Sequence, residues 1–89
     1  MKNLLLTVKG VVQGVGFRYF CYKQAVNFGI TGYVKNLYNG DVEILAQGDE
    51  SALNGFISEI KTGPRNASVT SLNIKVIESG DIFNNFSIN

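Results

Sequence analysis

The hydrophobic pattern changes its period between residues 10 and 18, and that break constrains the fold more than any other feature of the 89-residue chain. Before it, Leu4, Leu6 and Val8 alternate with Leu5, Thr7 and Lys9, the spacing of a strand. After it, Phe17, Phe20, Cys21, Ala25 and Phe28 share one helical face, with Arg18, Lys23 and Asn27 largely off it. Gly10, Gly14 and Gly16 lie between. A strand must therefore pass into a helix through a loop that can turn tightly because no Cβ obstructs it. Amides turned inward by such a loop, with the free N–H groups of the helix start, form a field that attracts an anion. Arg18 adds a planar, permanently charged fork for phosphate or carboxylate oxygens. The segment predicts an anion cradle that suits a phosphoryl group.

The rest of the chain alternates in the same way. Residues 30–35 read as a second strand, ended by Gly29 as a helix C-cap on one side and by Leu37-Tyr38-Asn39-Gly40 on the other. Asn-Gly is a strong hairpin signal because both residues tolerate positive φ. Val42, Ile44 and Ala46 mark the third strand, antiparallel to the second. Asp49 is placed to cap a helix whose stripe is Leu53, Phe56, Ile57 and Ile60, and Gly63-Pro64 stops it. Leu72, Ile74 and Val76 mark a fourth strand, residues 78–81 a turn, and Phe86 and Ile88 a short final strand. The order β-α-β-β-α-β is the ferredoxin-like split βαβ, an α+β sandwich spanning 1–89 as one domain. Two one-sided helices should cover one face of an antiparallel sheet and leave the other wetter.

Composition narrows the chemistry. The net charge is +1 without a basic block, which argues against sequence-independent attraction to nucleic acid. No apolar run is long enough to span a bilayer, and the leucines after Lys2 stop at Thr7, short of a signal peptide. The expectation is a cytoplasmic protein acting as a monomer. One cysteine and no histidine exclude an intramolecular disulfide, disfavour a metal site, and remove His-based nucleophilic catalysis. No cofactor is expected. Chemistry must rest on Arg, Lys, carboxylates, amides, hydroxyls and main chain.

The glycine loop is neither a Walker A loop, for want of Gly-Lys-Ser/Thr, nor a Rossmann fingerprint, for want of the third glycine and the acidic ribose partner. On spacing alone, Gly14-Val15-Gly16 fits a plain structural turn as well as a cradle. Asn36, closing Gly32-Tyr33-Val34-Lys35-Asn36, is by itself better explained as a hairpin-edge residue. In a split βαβ, however, a third strand separates the first two, and the cradle and Asn36 can face each other across a cleft. An amide there could orient a water toward a bound phosphorus.

Two segments in register carry a resemblance. Val8-x-Gly10-x-Val12-Gln13-Gly14-Val15-Gly16-Phe17-Arg18 resembles the first signature of the acylphosphatase family. Gly32-Tyr33-Val34-Lys35-Asn36, followed by Gly40-Asp41-Val42 and Gly48, resembles the second. Gly63-Pro64, Ala67, Val69 and the closing Phe86-Ser87-Ile88 are also similar, so the likeness covers nearly the whole chain. It implies hydrolysis of acyl phosphates to a carboxylate and inorganic phosphate, without metal and without a covalent intermediate. By that resemblance, main-chain amides of Val12, Gln13, Gly14, Val15 and Gly16 hold the phosphate together with Arg18, and Asn36 positions the attacking water. The partner implied is a small-molecule acyl phosphate.

Other residues have plainer readings. Cys21 sits on the apolar helix face as a buried structural thiol. Asp41 and Glu43 read as two solvated carboxylates on the open face. Lys35 either adds positive field near the phosphate or is a surface charge. Tyr19, Tyr22, Tyr33 and Tyr38 could help shape a cleft, but amphipathic aromatic packing explains them without function. The rival class is a non-catalytic phosphate- or RNA-binding module of the same topology. Gly14-Val15-Gly16-Phe17-Arg18-Tyr19-Phe20 echoes an RNA-recognition element, but it leaves strand one rather than lying on strand three, and strand three carries no aromatic residue for base stacking.

Overall fold

A computed structural model describes residues 1–78 and 80–89. Ser79, within the turn expected at 78–81, lies outside the described residues. The elements are β1 (Lys2–Val11), α1 (Phe17–Phe28), β2 (Thr31–Asn36), β3 (Val42–Gly48), α2 (Glu50–Thr62), β4 (Ser68–Ile77) and β5 (Phe86–Ile88). They form one sheet of order β4-β1-β3-β2-β5. All neighbours are antiparallel except β2 and β5, which run parallel. This is the expected ferredoxin-like α+β arrangement, extended by one edge strand.

The period-2 pattern decides which side chains meet the helices. Leu6 pairs with Ile44, and Ile44 pairs with Val34, so three strands present apolar residues to one face in register. Phe17, Cys21 and Ala25 of α1 and Leu53, Phe56 and Ile60 of α2 close over that face. Each of these six residues is at most 1% exposed. Fully burying a side chain of Val, Leu, Ile or Phe size contributes about 1.5–3 kcal/mol, so this layer contributes strongly to folding. Gly29 ends α1 in the left-handed region at φ 69°, as expected. Gly63 ends α2. Asp49 occupies the N-cap position of α2, but its side chain makes no capping hydrogen bond.

Three expectations need correction. The open face is less wet than the alternation implied. Leu45 and Gln47 project onto it and are 6% and 2% exposed. The strap from β4 to β5 must cross from one sheet edge to the other, and it runs over this face. Gln47 Nε2 donates to Asp81 O at 2.8 Å, its Oε1 accepts from Phe83 N at 3.0 Å, and the Phe83 ring meets Tyr33 edge-on. Asp41 and Glu43 are not free in solvent. Asp41 precedes β3, is 8% exposed, and takes a 2.7 Å ion pair from Lys9. Glu43 accepts from the Tyr33 hydroxyl at 2.9 Å and lies 3.5 Å from Lys35 Nζ. The Asn-Gly turn also differs from the tight form: only Gly40 takes positive φ, at 97°, while Asn39 uses its side-chain oxygen to accept from Asp41 N at 3.0 Å.

Candidate active site

The register explains how distant segments come together. Val8 pairs with Val42, and Val42 pairs with Asn36, so the three lie in one row across β1, β3 and β2. Neighbouring strands are about 4.8 Å apart, which places the end of β2 roughly 10 Å from β1. Asn36 shares its face of β2 with Val34, on the side covered by the helices. The chain leaves β1 at Val11, turns through residues 12–16 and enters α1 over the same end of the sheet. The first turn of α1 and the end of β2 are therefore brought to opposite walls of one cleft.

That cleft encloses about 230 Å³. Val12, Gly14 and Gly16 of the loop, Phe17, Arg18 and Tyr19 of α1, Asn36 of β2 and Ile88 of β5 form its walls. Gly14 and Gly16 have φ of 74° and 77°, and nothing lies within 4 Å of where a Cβ would stand on either. These glycines are required by conformation rather than by crowding. Gly16 also sits at the N-cap of α1 without a side-chain cap, and that first turn carries no acidic residue. Helix-start N–H groups without a capping oxygen, beside a guanidinium, favour an anion.

Of the residues singled out from the sequence, Val12, Gly14, Gly16, Arg18 and Asn36 meet in this cleft. Gln13 and Val15 belong to the loop but not to the wall. The Gln13 side chain is instead directed to the β2–β3 loop, with Nε2 donating to Leu37 O and Asp41 O, each at 2.8 Å. Arg18 Nη1 donates to the main-chain oxygen of Asn89 at 2.8 Å. This leaves the guanidinium anchored on one side with donors to spare. Asn36 Oδ1 is buried and has no hydrogen-bond partner in the structure. A buried acceptor that makes no protein hydrogen bond is available to a water or ligand donor. Lys35 points to the other face, its ammonium 5.8 Å above the Tyr33 ring and paired with Glu43, so its charge is committed outside the cleft.

Tyr19, whose second reading was a part in shaping a cleft, does line the wall, whereas neither Ile88 in the wall nor Asn89 as the partner of Arg18 was expected. No local signal marks these two. Ile88 and Asn89 reach the cleft because β5 pairs with β2 in parallel, Val34 opposite Ile88. Cys21 is fully buried and takes no part in the wall, and burial pushes its thiol well above the ordinary range.

Comparison with known proteins agrees with this geometry. The acylphosphatase family profile matches residues 4–88. The acylphosphatase of Caldanaerobacter subterraneus is 44% identical over 87 residues, covering 98% of this chain and 97% of that protein. The acylphosphatase of Thermotoga maritima is 48% identical over 75 residues, covering 84% and 83%. The crystal structure of acylphosphatase from Bacillus subtilis superposes with a TM-score of 0.96 at 40% identity, covering 100% of this chain and 99% of that one. With a family match over nearly its whole length and relatives of this identity and coverage, the chain belongs to the acylphosphatase family.

Proposed function

We propose that the chain catalyses acylphosphatase chemistry in the cleft between the glycine loop and Asn36. The activity, hydrolysis of an acyl phosphate to carboxylate and inorganic phosphate, comes with the family. The division of labour among residues is our reading. Main-chain amides of residues 12–16 and the Arg18 guanidinium hold the phosphoryl oxygens, and Asn36 orients a water through its side-chain amide. The water oxygen attacks phosphorus in line as the bond from phosphorus to the acyl oxygen breaks. The carboxylate leaves as a stable anion and needs no proton. The proton of the water passes to a phosphoryl oxygen of the substrate. Such a reaction asks for positioning and charge stabilisation rather than a strong base.

The observation that carries the reading is Asn36 Oδ1, a buried acceptor without a partner, in the same cleft as Arg18. We infer action as a monomer on a small-molecule acyl phosphate, and the lone buried thiol suits a reducing cytoplasm.

The test is steady-state hydrolysis of benzoyl phosphate in EDTA by the wild type, Arg18→Ala and Asn36→Ala. Turnover by the wild type that is lost in both variants, with circular dichroism unchanged, supports the reading. Folded wild type without turnover, yet binding inorganic phosphate, would make the domain a phosphate-binding module instead.

A further inference from the structure

Gln13 lies in the phosphate loop, yet its carboxamide is engaged elsewhere. Both hydrogens of an amide NH2 have an acceptor here: Leu37 O at 2.8 Å and Asp41 O at 2.8 Å. The two acceptors are the ends of the loop that follows Asn36, and Asp41 O also accepts from Leu37 N at 2.8 Å. Gln13 therefore joins the cradle to the residue immediately after Asn36. A second tie reinforces it, since Lys9 Nζ is 2.7 Å from Asp41 Oδ2.

We propose that Gln13 is a positioning residue that sets the distance between the phosphate cradle and Asn36, and so the line along which water attacks. The inference rests on the function proposed above. Asn36 Oδ1 has no hydrogen-bond partner in the structure, so the place of the amide is governed by the backbone at residues 36 and 37. Gln13 holds that backbone from the loop on the other side, through Leu37 O and Asp41 O. The two segments it joins are those whose separation defines the geometry of attack. A displacement of about 1 Å at a reacting group costs on the order of 10²-fold in rate.

A residue that merely stabilises the hairpin would behave differently, so the test separates the two. Gln13→Met keeps the length of the side chain and removes both donors. Wild type, Gln13→Met, Asn36→Ala and the double variant are compared for kcat and KM with benzoyl phosphate, and for inhibition by inorganic phosphate. Positioning predicts that Gln13→Met lowers kcat by roughly 10- to 10²-fold. It also predicts inhibition by phosphate within about 3-fold of wild type, because the cradle amides remain (about 0.65 kcal/mol at most). In the Asn36→Ala background the same substitution should lose most of its effect on kcat, since its action runs through Asn36.

A Gln13→Met enzyme with wild-type kcat and a lower unfolding midpoint would reduce Gln13 to a structural tie and overturn the proposal. An undiminished effect without Asn36 would also overturn it. If Gln13→Met does not fold, Gln13→Asn takes its place in the same cycle, with both donors retained on a shorter stem and the same coupling to Asn36 expected. Inactive wild type would defeat the proposed function, and this inference with it. Active wild type that loses kcat in Asn36→Ala but not in Gln13→Met would defeat this inference alone.

Discussion

Arg18 and Asn89 are joined across 71 residues of sequence by a 2.8 Å hydrogen bond from the guanidinium Nη1 to a main-chain oxygen. Asn89 is itself secured, because its N–H donates to Val34 O at 2.8 Å. The edge strand thus acts as a bracket that fixes the orientation of the guanidinium. Preorganised donors matter because they need no rearrangement when charge develops. Arg18→Ala should leave the fold intact, since β5 keeps its pairing with β2. It should cost at least about 10²–10³ in kcat/KM, mostly by weakening phosphate binding. Arg18→Lys should not restore activity, because a point charge lacks the planar fork that meets both Asn89 and an anion. An Arg18→Lys enzyme with near-wild-type kcat/KM would show that charge alone suffices.

Asn36→Ala should act on the other kinetic constant. Its Oδ1 is buried without a partner, so removing the amide breaks no protein hydrogen bond of that atom and leaves stability near wild type. An interaction made only in the transition state lowers kcat without raising KM to match. Steady-state kinetics would therefore show a large fall in kcat with KM within a few-fold. A pure rise in KM would assign Asn36 to substrate binding instead.

Much of this was legible in the chain, for reasons that differ by residue. Leu4, Leu6, Val8 and the Leu53–Phe56–Ile60 stripe announced themselves because burial on one face imposes a period. Gly29 and Gly63 were legible because helix ends require particular backbone angles. The cleft was foreseeable only through topology: one strand had to separate β1 from β2, and β3 does so. What escaped was whatever depends on partners distant in sequence. Gln47 reads as a polar residue on an open face, and only the strap crossing above it makes it 2% exposed. Asp41 looks like a solvated carboxylate until Lys9, 32 residues earlier, is placed beside it. Asn89 carries no motif, and its role exists only because β5 lies beside β2.

Cys21 provides a check on the core that is independent of catalysis. The thiol is fully buried, and burial raises its pKa, so the reactive thiolate is scarce in the folded protein. A disulfide reagent such as DTNB should fail to modify native protein and react promptly in denaturant. Cys21→Ser should cost about 1–3 kcal/mol by burying a hydroxyl, while kcat of the folded enzyme stays unchanged. Rapid labelling of the native state would mean that α1 opens far more readily than its packing implies.

Tyr33 gives a pH signature. Burial, followed by the hydrogen bond to Glu43 and the nearby carboxylate charge, pushes its phenol up to about 12 from an ordinary 10. The folded state therefore favours the neutral phenol more than the unfolded chain does. That contribution is fully present below about pH 10 and is lost as pH rises toward about 12. In urea titrations between about pH 9 and about pH 12, wild type should lose stability relative to Tyr33→Phe. Parallel declines in the two proteins would show that the Tyr33–Glu43 contact contributes nothing to that dependence.

Gly32 and Gly40 separate two costs that glycine replacement usually mixes. Gly32 has φ of 134°, and a Cβ there would stand 1.9 Å from the main-chain oxygen of Leu45 on β3. That oxygen cannot move without breaking the β2–β3 ladder. Gly40 has φ of 97° with open space around it, so alanine there meets conformational strain alone. Gly40→Ala should cost about 1–3 kcal/mol, and Gly32→Ala clearly more, on the order of 4 kcal/mol or above. The Gly32 N–H also donates to Asn85 O at 3.0 Å, at the entry to β5. Damage at Gly32 should therefore reach the bracket on Arg18 and weaken phosphate inhibition in whatever fraction still folds, whereas Gly40→Ala should not. Equal urea midpoints for the two variants would refute the clash with Leu45 as the main source of the damage at Gly32.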